Sequence, residues 1–351
     1  MRSLLFVSAL SCALLTSCSG LTTVCVAGKS VAACPGPDGC AGRQTCNGLG
    51  TGYGACECAN LKPNVMLLVD VSGSMLQPTN PAGAACPAGC GTSSNPCPAT
   101  CPTRISELKS AMATFLQASG AVARLGVTVF PTDTLCRPAI DVDVTFPPAT
   151  STDEGSEAAL TATAQQVNAR IQALTPLGGT PTAASLAFLG SYAGLVDAND
   201  FRDDVVVLVT DGLPNCDDAN ANQLCSCSNT CSAAQITSCS CTTSTCTNTL
   251  CAKGCLDRDG AVLQVKNLRA KGIRTVVVGF GADLASGEGT ALLDAMAREG
   301  GFTRHCPTGA DAECGGNAGS CDTLTKLCAA SFFQAANATE LAAALRSATQ
   351  R

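Results

Sequence analysis

Two unbroken apolar runs, each ending on a carboxylate, constrain this chain more than any other feature. Asn64-Val-Met-Leu-Leu-Val69 leads into Asp70, and Asp204-Val-Val-Val-Leu-Val-Thr210 leads into Asp211. A run of that length without polar alternation reads as a strand buried on both faces, as in parallel sheets covered by helices on both sides. Both aspartates then stand just past the carboxyl end of a central strand. Open α/β sheets bind their ligands at that edge, where the strand order reverses.

The rest of the main domain alternates accordingly. Strands are expected at 64–70, 125–130, 204–210, 273–280 and 331–335, with 140–146 as an antiparallel edge strand. Helices are expected at 104–118, 154–174, 181–195, 259–271, 288–299 and 338–348. Ile105, Leu108, Met112 and Phe115 share one helical face, and Thr103 is placed to cap that helix. The fold class is α/β: a doubly wound, mostly parallel central sheet flanked by helices.

Oxygen-bearing residues cluster at the expected ligand edge. They are Asp70, Ser72 and Ser74 in DVSGSM, Thr180 in GGTPT, and Asp211 in VTDG. A magnesium-sized ion takes about six hard oxygen ligands and keeps several of them as water. Two carboxylates balance its charge, while three hydroxyls fill positions without adding more. The ion then stays electrophilic enough to attract one further carboxylate from outside. The plain structural alternative is that Asp70 and Ser72 cap the next helix and Asp211 makes a turn.

Asp-x-Ser-x-Ser, Gly-Gly-Thr and Thr-Asp-Gly in this order resemble the metal-ion-dependent adhesion site of the von Willebrand factor type A family. The likeness covers about residues 62–351. It implies that Ser72, Ser74 and Thr180 offer hydroxyls to Mg²⁺, with Mn²⁺ or Ca²⁺ as alternatives. Asp70 and Asp211 would act directly or through water. The partner it implies is a protein presenting an Asp or Glu side chain that completes the coordination.

The first 17 residues read as an export signal, with Arg2 followed by a mostly apolar stretch too short to span a membrane. Leu15-Thr-Ser-Cys18 resembles a bacterial lipobox, which implies lipidation of Cys18 and a membrane anchor, with the outer membrane the expected site. Of 26 cysteines, Cys12 would leave with the signal and Cys18 would carry lipid, so an even 24 remain for disulfides. Residues 18–60 form a tether and a cysteine-rich module, and 61–351 the main domain. Three cysteine-rich insertions interrupt that domain, at 76–102, 213–257 and 304–330. The first two follow strands that end at the metal edge, so they are expected to form a rim around the ion.

Other chemistries fit less well. With 27 acidic and 21 basic residues and no basic run, the chain is not a nucleic-acid binder. There is one histidine, His305, and no Gly-x-Ser-x-Gly elbow, so a hydrolase triad is not expected. Asp203 and Asp204 point to opposite faces of a strand and do not form an acid–base pair. Asp257-Arg-Asp-Gly260 lacks the later Glu of a calcium loop and reads as a turn before a helix. The expected function is a surface-anchored, metal-dependent adhesion or protein-binding module, and not an enzyme. A structural or sensor lipoprotein that binds through its cysteine-rich loops is the alternative. Metal-assisted hydrolysis of a phosphoester is a weaker one.

Overall fold

The computed structural model describes residues 25–27, 31–35, 41–58, 62–147, 157–197, 202–211, 214, 216, 226–227, 255–280, 288–302, 304–315, 318–335, 339, 342 and 345. The chain divides into two compact units, Met1–Ala59 and Asn60–Arg351. In the first, strands Val31–Pro35, Ala41–Thr45 and Glu57–Cys58 form an antiparallel sheet. Disulfides Cys25–Cys46 and Cys34–Cys56 staple it. Its buried residues include Cys25, Cys34 and Cys46, so sulfur bridges stand in for an apolar core too small to hold the unit.

The second unit is built on five parallel strands: β1 (Asn64–Asp70), β2 (Arg124–Phe130), β3 (Asp204–Thr210), β4 (Arg274–Phe280) and β5 (Phe333–Ala335). Their order across the sheet is β5-β4-β3-β1-β2, every neighbour parallel. The chain leaves β1 toward one side and returns on the other to form β3. The β1/β3 boundary is therefore the point where strand order reverses.

The helices are α1 (Arg104–Ser119), α2 (Glu157–Gln172), α3 (Thr182–Leu189), α4 (Ala193–Val196), α5 (Arg258–Ala270) and α6 (Glu288–Glu299). Strand side chains alternate between faces, and both faces are covered. Val65, Leu67 and Val69 pack with Leu108, Met112 and Phe115 of α1 and Val167 and Ile171 of α2. Met66 and Leu68 pack with Leu186 and Leu189 of α3, Leu268 of α5 and Met296 of α6. That two-sided cover is why β1 and β3 carry no polar alternation.

Several expected elements differ. Residues 140–146 do not form a strand; a single antiparallel bridge joins Val144 to Val127. Side chains take over the pairing there, since the Val129 amide donates to Asp143 Oδ2 at 3.2 Å and the Thr128 hydroxyl donates to the Asp141 carbonyl at 2.7 Å. The expected helix 181–195 breaks at Gly190–Tyr192, where the Ser191 hydroxyl donates back to the Phe188 carbonyl. Of the closing helix expected at 338–348, residues 339, 342 and 345 are described, and all three are helical.

The first insertion is a closed excursion between a short 3₁₀ turn, Gly73–Leu76, and α1. Its base is zipped: Thr79 N donates to Pro102 O, Arg104 N donates to Gln77 O, and Pro78 bridges Thr103. Cys86–Cys101 and Cys90–Cys97 brace it internally. Thr103 caps α1 in a reciprocal box with Ser106. Thr103→Ala should lower stability by about 1 kcal/mol, seen as a lower urea midpoint at unchanged m-value.

The third insertion is a two-disulfide knot, Cys306–Cys321 and Cys314–Cys328, organised by Asp311, which accepts the amides of Gly319 and Cys321. It precedes β5, whose residues pair with Val278–Phe280 of β4 at the sheet edge opposite β2. Most of 213–257 lies outside the described residues, as does Cys18. Within that insertion Ser226–Cys227 pairs with Cys255–Leu256. Seven disulfides among the described residues indicate an oxidising, extracytoplasmic setting.

Candidate metal centre

The site is assembled at the β1/β3 boundary. Asp70 is the last residue of β1 and Asp211 follows β3; paired Val69 and Val209 set the two carboxylates side by side. Both are buried, at 0% and 2% exposure. Asp70 Oδ1 accepts the Ser72 amide at 2.8 Å and Oδ2 accepts the Thr210 hydroxyl at 2.7 Å. Asp211 Oδ1 accepts the Ser74 hydroxyl at 2.9 Å, and Oδ2 accepts Arg104 Nη1 at 2.9 Å. The Ser72 and Ser74 hydroxyl oxygens are 2.9 Å apart.

Thr180 reaches this cluster through its loop. Gly73 N donates to Gly178 O at 3.0 Å, and Leu177 N donates to Val71 O at 2.8 Å, so the serine loop and the Gly-Gly-Thr loop are joined by backbone bonds. Gly178 has φ 65°, and a Cβ there would fall 2.5 Å from the Asp133 carbonyl oxygen, so only glycine fits this approach. Gly179 N in turn donates to Leu135 O at 2.7 Å. The next residue, Cys136, is disulfide-bonded to Cys216 beyond β3. The loops carrying Thr180 and Asp211 are thus tied to the same short segment.

Ser72, Ser74 and Thr180 line one cavity of about 580 Å³, and its wall includes Thr92 and Ser93 from the first insertion. No charged side chain lines it among the described residues. Three hydroxyl-bearing residues thus belong to the lining, and the two carboxylates are buried outside it. Helix capping does not explain the arrangement. Ser72 occupies the N-cap position of the Gly73–Leu76 turn yet makes no side-chain cap hydrogen bond.

The electrostatics favour a cation. Burial, and then the charge of Asp211, lift the Asp70 carboxyl to about 7. Burial also lifts Asp211, opposed by the charge and hydrogen bond of Arg104. Two like charges removed from water together are costly unless a cation joins them. One guanidinium offsets one of the two. The donor set, hard oxygens with one uncompensated charge, fits a divalent ion of the magnesium class. Such an ion would supply an electrophilic centre reachable from the cavity.

Sequence reasoning passed over two residues here. Thr210 orients Asp70, and Arg104 pairs with Asp211. Arg104 carried a readable signal: it is the first residue of a helix, where the helix dipole disfavours a cation.

The remaining candidates sit elsewhere. His305 is an exposed residue bridged to Leu327. Asp203 pairs with Arg274 at 3.3 Å, and Asp204 accepts from Asn64 at 2.9 Å, so both serve the amino edge of the sheet. Asp257 caps α5. Cys90, Cys97 and Cys101, like Cys306, Cys314 and Cys321, bring their sulfurs together as disulfides and not as thiolates.

No family model and no curated protein matches the sequence. Solved structures do match, among them a von Willebrand factor domain and a VWA domain. The pilus adhesin SpaC from Lactobacillus rhamnosus GG aligns at 15% identity and TM-score 0.45, over 83% of this chain and 31% of that one. The von Willebrand factor domain of the type V pili tip protein Mfa5 from Porphyromonas gingivalis aligns at 16% identity and TM-score 0.41, over 83% and 95%. Proximal thread matrix protein 1 from the mussel byssus, whose metal-ion-dependent adhesion site holds zinc, aligns at 10% identity and TM-score 0.40, over 83% and 48%. This chain spans less than a third of the SpaC chain and about half of the byssus protein.

Proposed function

We propose that this protein is a metal-dependent adhesion or protein-binding module, in which a partner's carboxylate enters the cavity and completes the coordination of a divalent ion held by Asp70, Ser72, Ser74, Thr180 and Asp211. The carrying observation is the make-up of the site: Ser72, Ser74 and Thr180 line the cavity, Asp70 and Asp211 are buried outside that lining, and no charged side chain lines it among the described residues. An acidic side chain entering the cavity meets no negative charge among the described lining residues, so the metal would be its strongest attraction there. Mg²⁺ is the expected ion, with Mn²⁺ and Ca²⁺ as other oxygen-seeking choices. The domain binds its partner and does not turn it over. In this reading lipid on Cys18 holds it to the cell envelope, at the outer membrane.

The cavity volume falls within the range of about 300–1,000 Å³ common for ligand clefts. It suits an extended peptide loop with one acidic residue between small neutral ones. Panning a random cyclic-peptide display library on the oxidised protein in Mn²⁺, and again in chelator, tests the reading. Sequences with one enriched Asp or Glu, recovered only with metal and losing binding when that residue becomes Asn or Gln, are expected. Binders indifferent to chelator would instead support recognition by the cysteine-rich loops.

The first insertion should then select partners. Ser93→Arg at its tip is expected to weaken a selected peptide at least about tenfold while Mn²⁺ affinity stays within twofold. Equal loss of peptide and metal would mean that the insertion holds the site together and does not screen partners.

A further inference from the structure

Arg104 breaks two local rules at once. It is the first residue of α1, where a positive charge opposes the helix dipole, and it is buried at 5% exposure. Violations of this kind tend to persist at functional positions. Its guanidinium reaches across to Asp211 Oδ2 at 2.9 Å, and both side chains are almost wholly removed from water. Its backbone amide closes the base of the first insertion on Gln77 O at 3.0 Å. It is not among the residues that line the cavity.

We infer that Arg104 is a resident counter-cation that keeps the loaded metal site one charge positive, so that the ion still demands a carboxylate from outside. This rests on the metal reading above. The charge count carries it. Among the described residues of the site, Asp70 and Asp211 contribute two negative charges and Arg104 one positive, leaving a net −1. A divalent ion brings the site to +1. Without the guanidinium, the same ion would be neutralised by the two aspartates, and a partner carboxylate would gain much less on entering. Arg104 therefore lowers metal affinity and raises partner affinity. It is a positioning and charge-setting residue that acts from outside the cavity lining.

The test uses Mn²⁺ and acetate at pH 8 on the oxidised protein. Calorimetry reads the Mn²⁺ Kd. Water-proton relaxation of the Mn²⁺ complex reads displacement of bound water by acetate. In Arg104→Gln, Mn²⁺ should bind about tenfold more tightly and acetate about tenfold more weakly. Arg104→Lys, which keeps the charge, should restore both to within about threefold of the parent. Because breaking one end of a buried ion pair can unfold a domain, a second comparison removes both ends. Asp211→Asn with Arg104→Gln should bind Mn²⁺ about tenfold more tightly than Asp211→Asn alone, a sign that only the charge account predicts. A folded Arg104→Gln whose Mn²⁺ and acetate affinities are unchanged or both weakened would overturn the inference and leave Arg104 as a structural tie for the insertion. A parent protein that shows no saturable Mn²⁺ binding would overturn the metal reading itself, and this inference with it.

Discussion

Asp70→Asn should raise the melting temperature of the metal-free protein at pH 8 and, in the same variant, abolish its response to Mg²⁺ or Mn²⁺. The two effects have one cause. Asp70 is fully buried beside Asp211, and burial together with that neighbouring charge raises its carboxyl to about 7. At pH 8 the free domain must hold it ionised, which costs stability. Asparagine keeps the shape, and its carbonyl can still accept the Ser72 amide. The Thr210 hydroxyl can rotate to accept from the amide nitrogen. Only the charge is lost. An ordinary buried-to-polar exchange destabilises, so a rise of even about 2–4 °C, worth roughly 1 kcal/mol in a domain of this size, would be diagnostic. Differential scanning calorimetry with chelator and with 5–10 mM Mg²⁺ as a roughly saturating addition reads both halves. A variant that melts lower in chelator, or still rises with metal, would show that Asp70 is a structural acceptor and not part of an electrostatic cage.

The pH dependence should be equally pronounced. The folded-state carboxyls of Asp70 and Asp211 lie above their unfolded value of 3.8. The stability they contribute is fully present below about pH 4 and is lost as pH rises through the folded values, about 7 for Asp70. With each pKa unit worth about 1.4 kcal/mol, the Asp70–Asp211 pair lowers metal-free stability by on the order of a few kcal/mol between pH 4 and pH 8. A divalent ion takes the ionised form and competes with the proton. Metal-induced stabilisation should therefore be close to nil at pH 5 and greatest above pH 7.5. Melting curves at half-unit steps from pH 4.5 to 8.5, with and without Mn²⁺, give the two profiles. They should diverge as pH rises, and parallel profiles would count against a buried carboxylate pair.

The sequence carried the frame of the fold because the frame depends on burial pattern. Asn64–Asp70 and Asp204–Thr210 appear as strands with the expected bounds, since runs apolar on both faces have few other ways to be buried. Elements decided by single side chains were harder to read. Asp143 occupies an amide that a strand at 140–146 would have used, and Ser191 ends a helix that composition alone would extend. At the site, the five oxygen residues could be proposed from sequence because their types suit a hard cation and their order resembles a known motif. The structure brings their loops together at one cavity. Thr210 could not be, because its role depends on a contact spanning 140 residues of sequence, and for Arg104 only its odd place at a helix start could be read, not its partner 107 residues away. The Cys136–Cys216 bridge spans 80 residues and is equally invisible to spacing arguments.

The most direct measurement of the central claim is a calorimetric titration of Mn²⁺ and Mg²⁺ into the oxidised protein at pH 8, beside Asp70→Asn and Asp211→Asn. One saturable site per chain in the parent, weakened at least about a hundredfold in both variants while their circular dichroism and disulfide content stay unchanged, is the result predicted here. No saturable binding in the parent, or binding that keeps the parent's affinity in both variants, would contradict it.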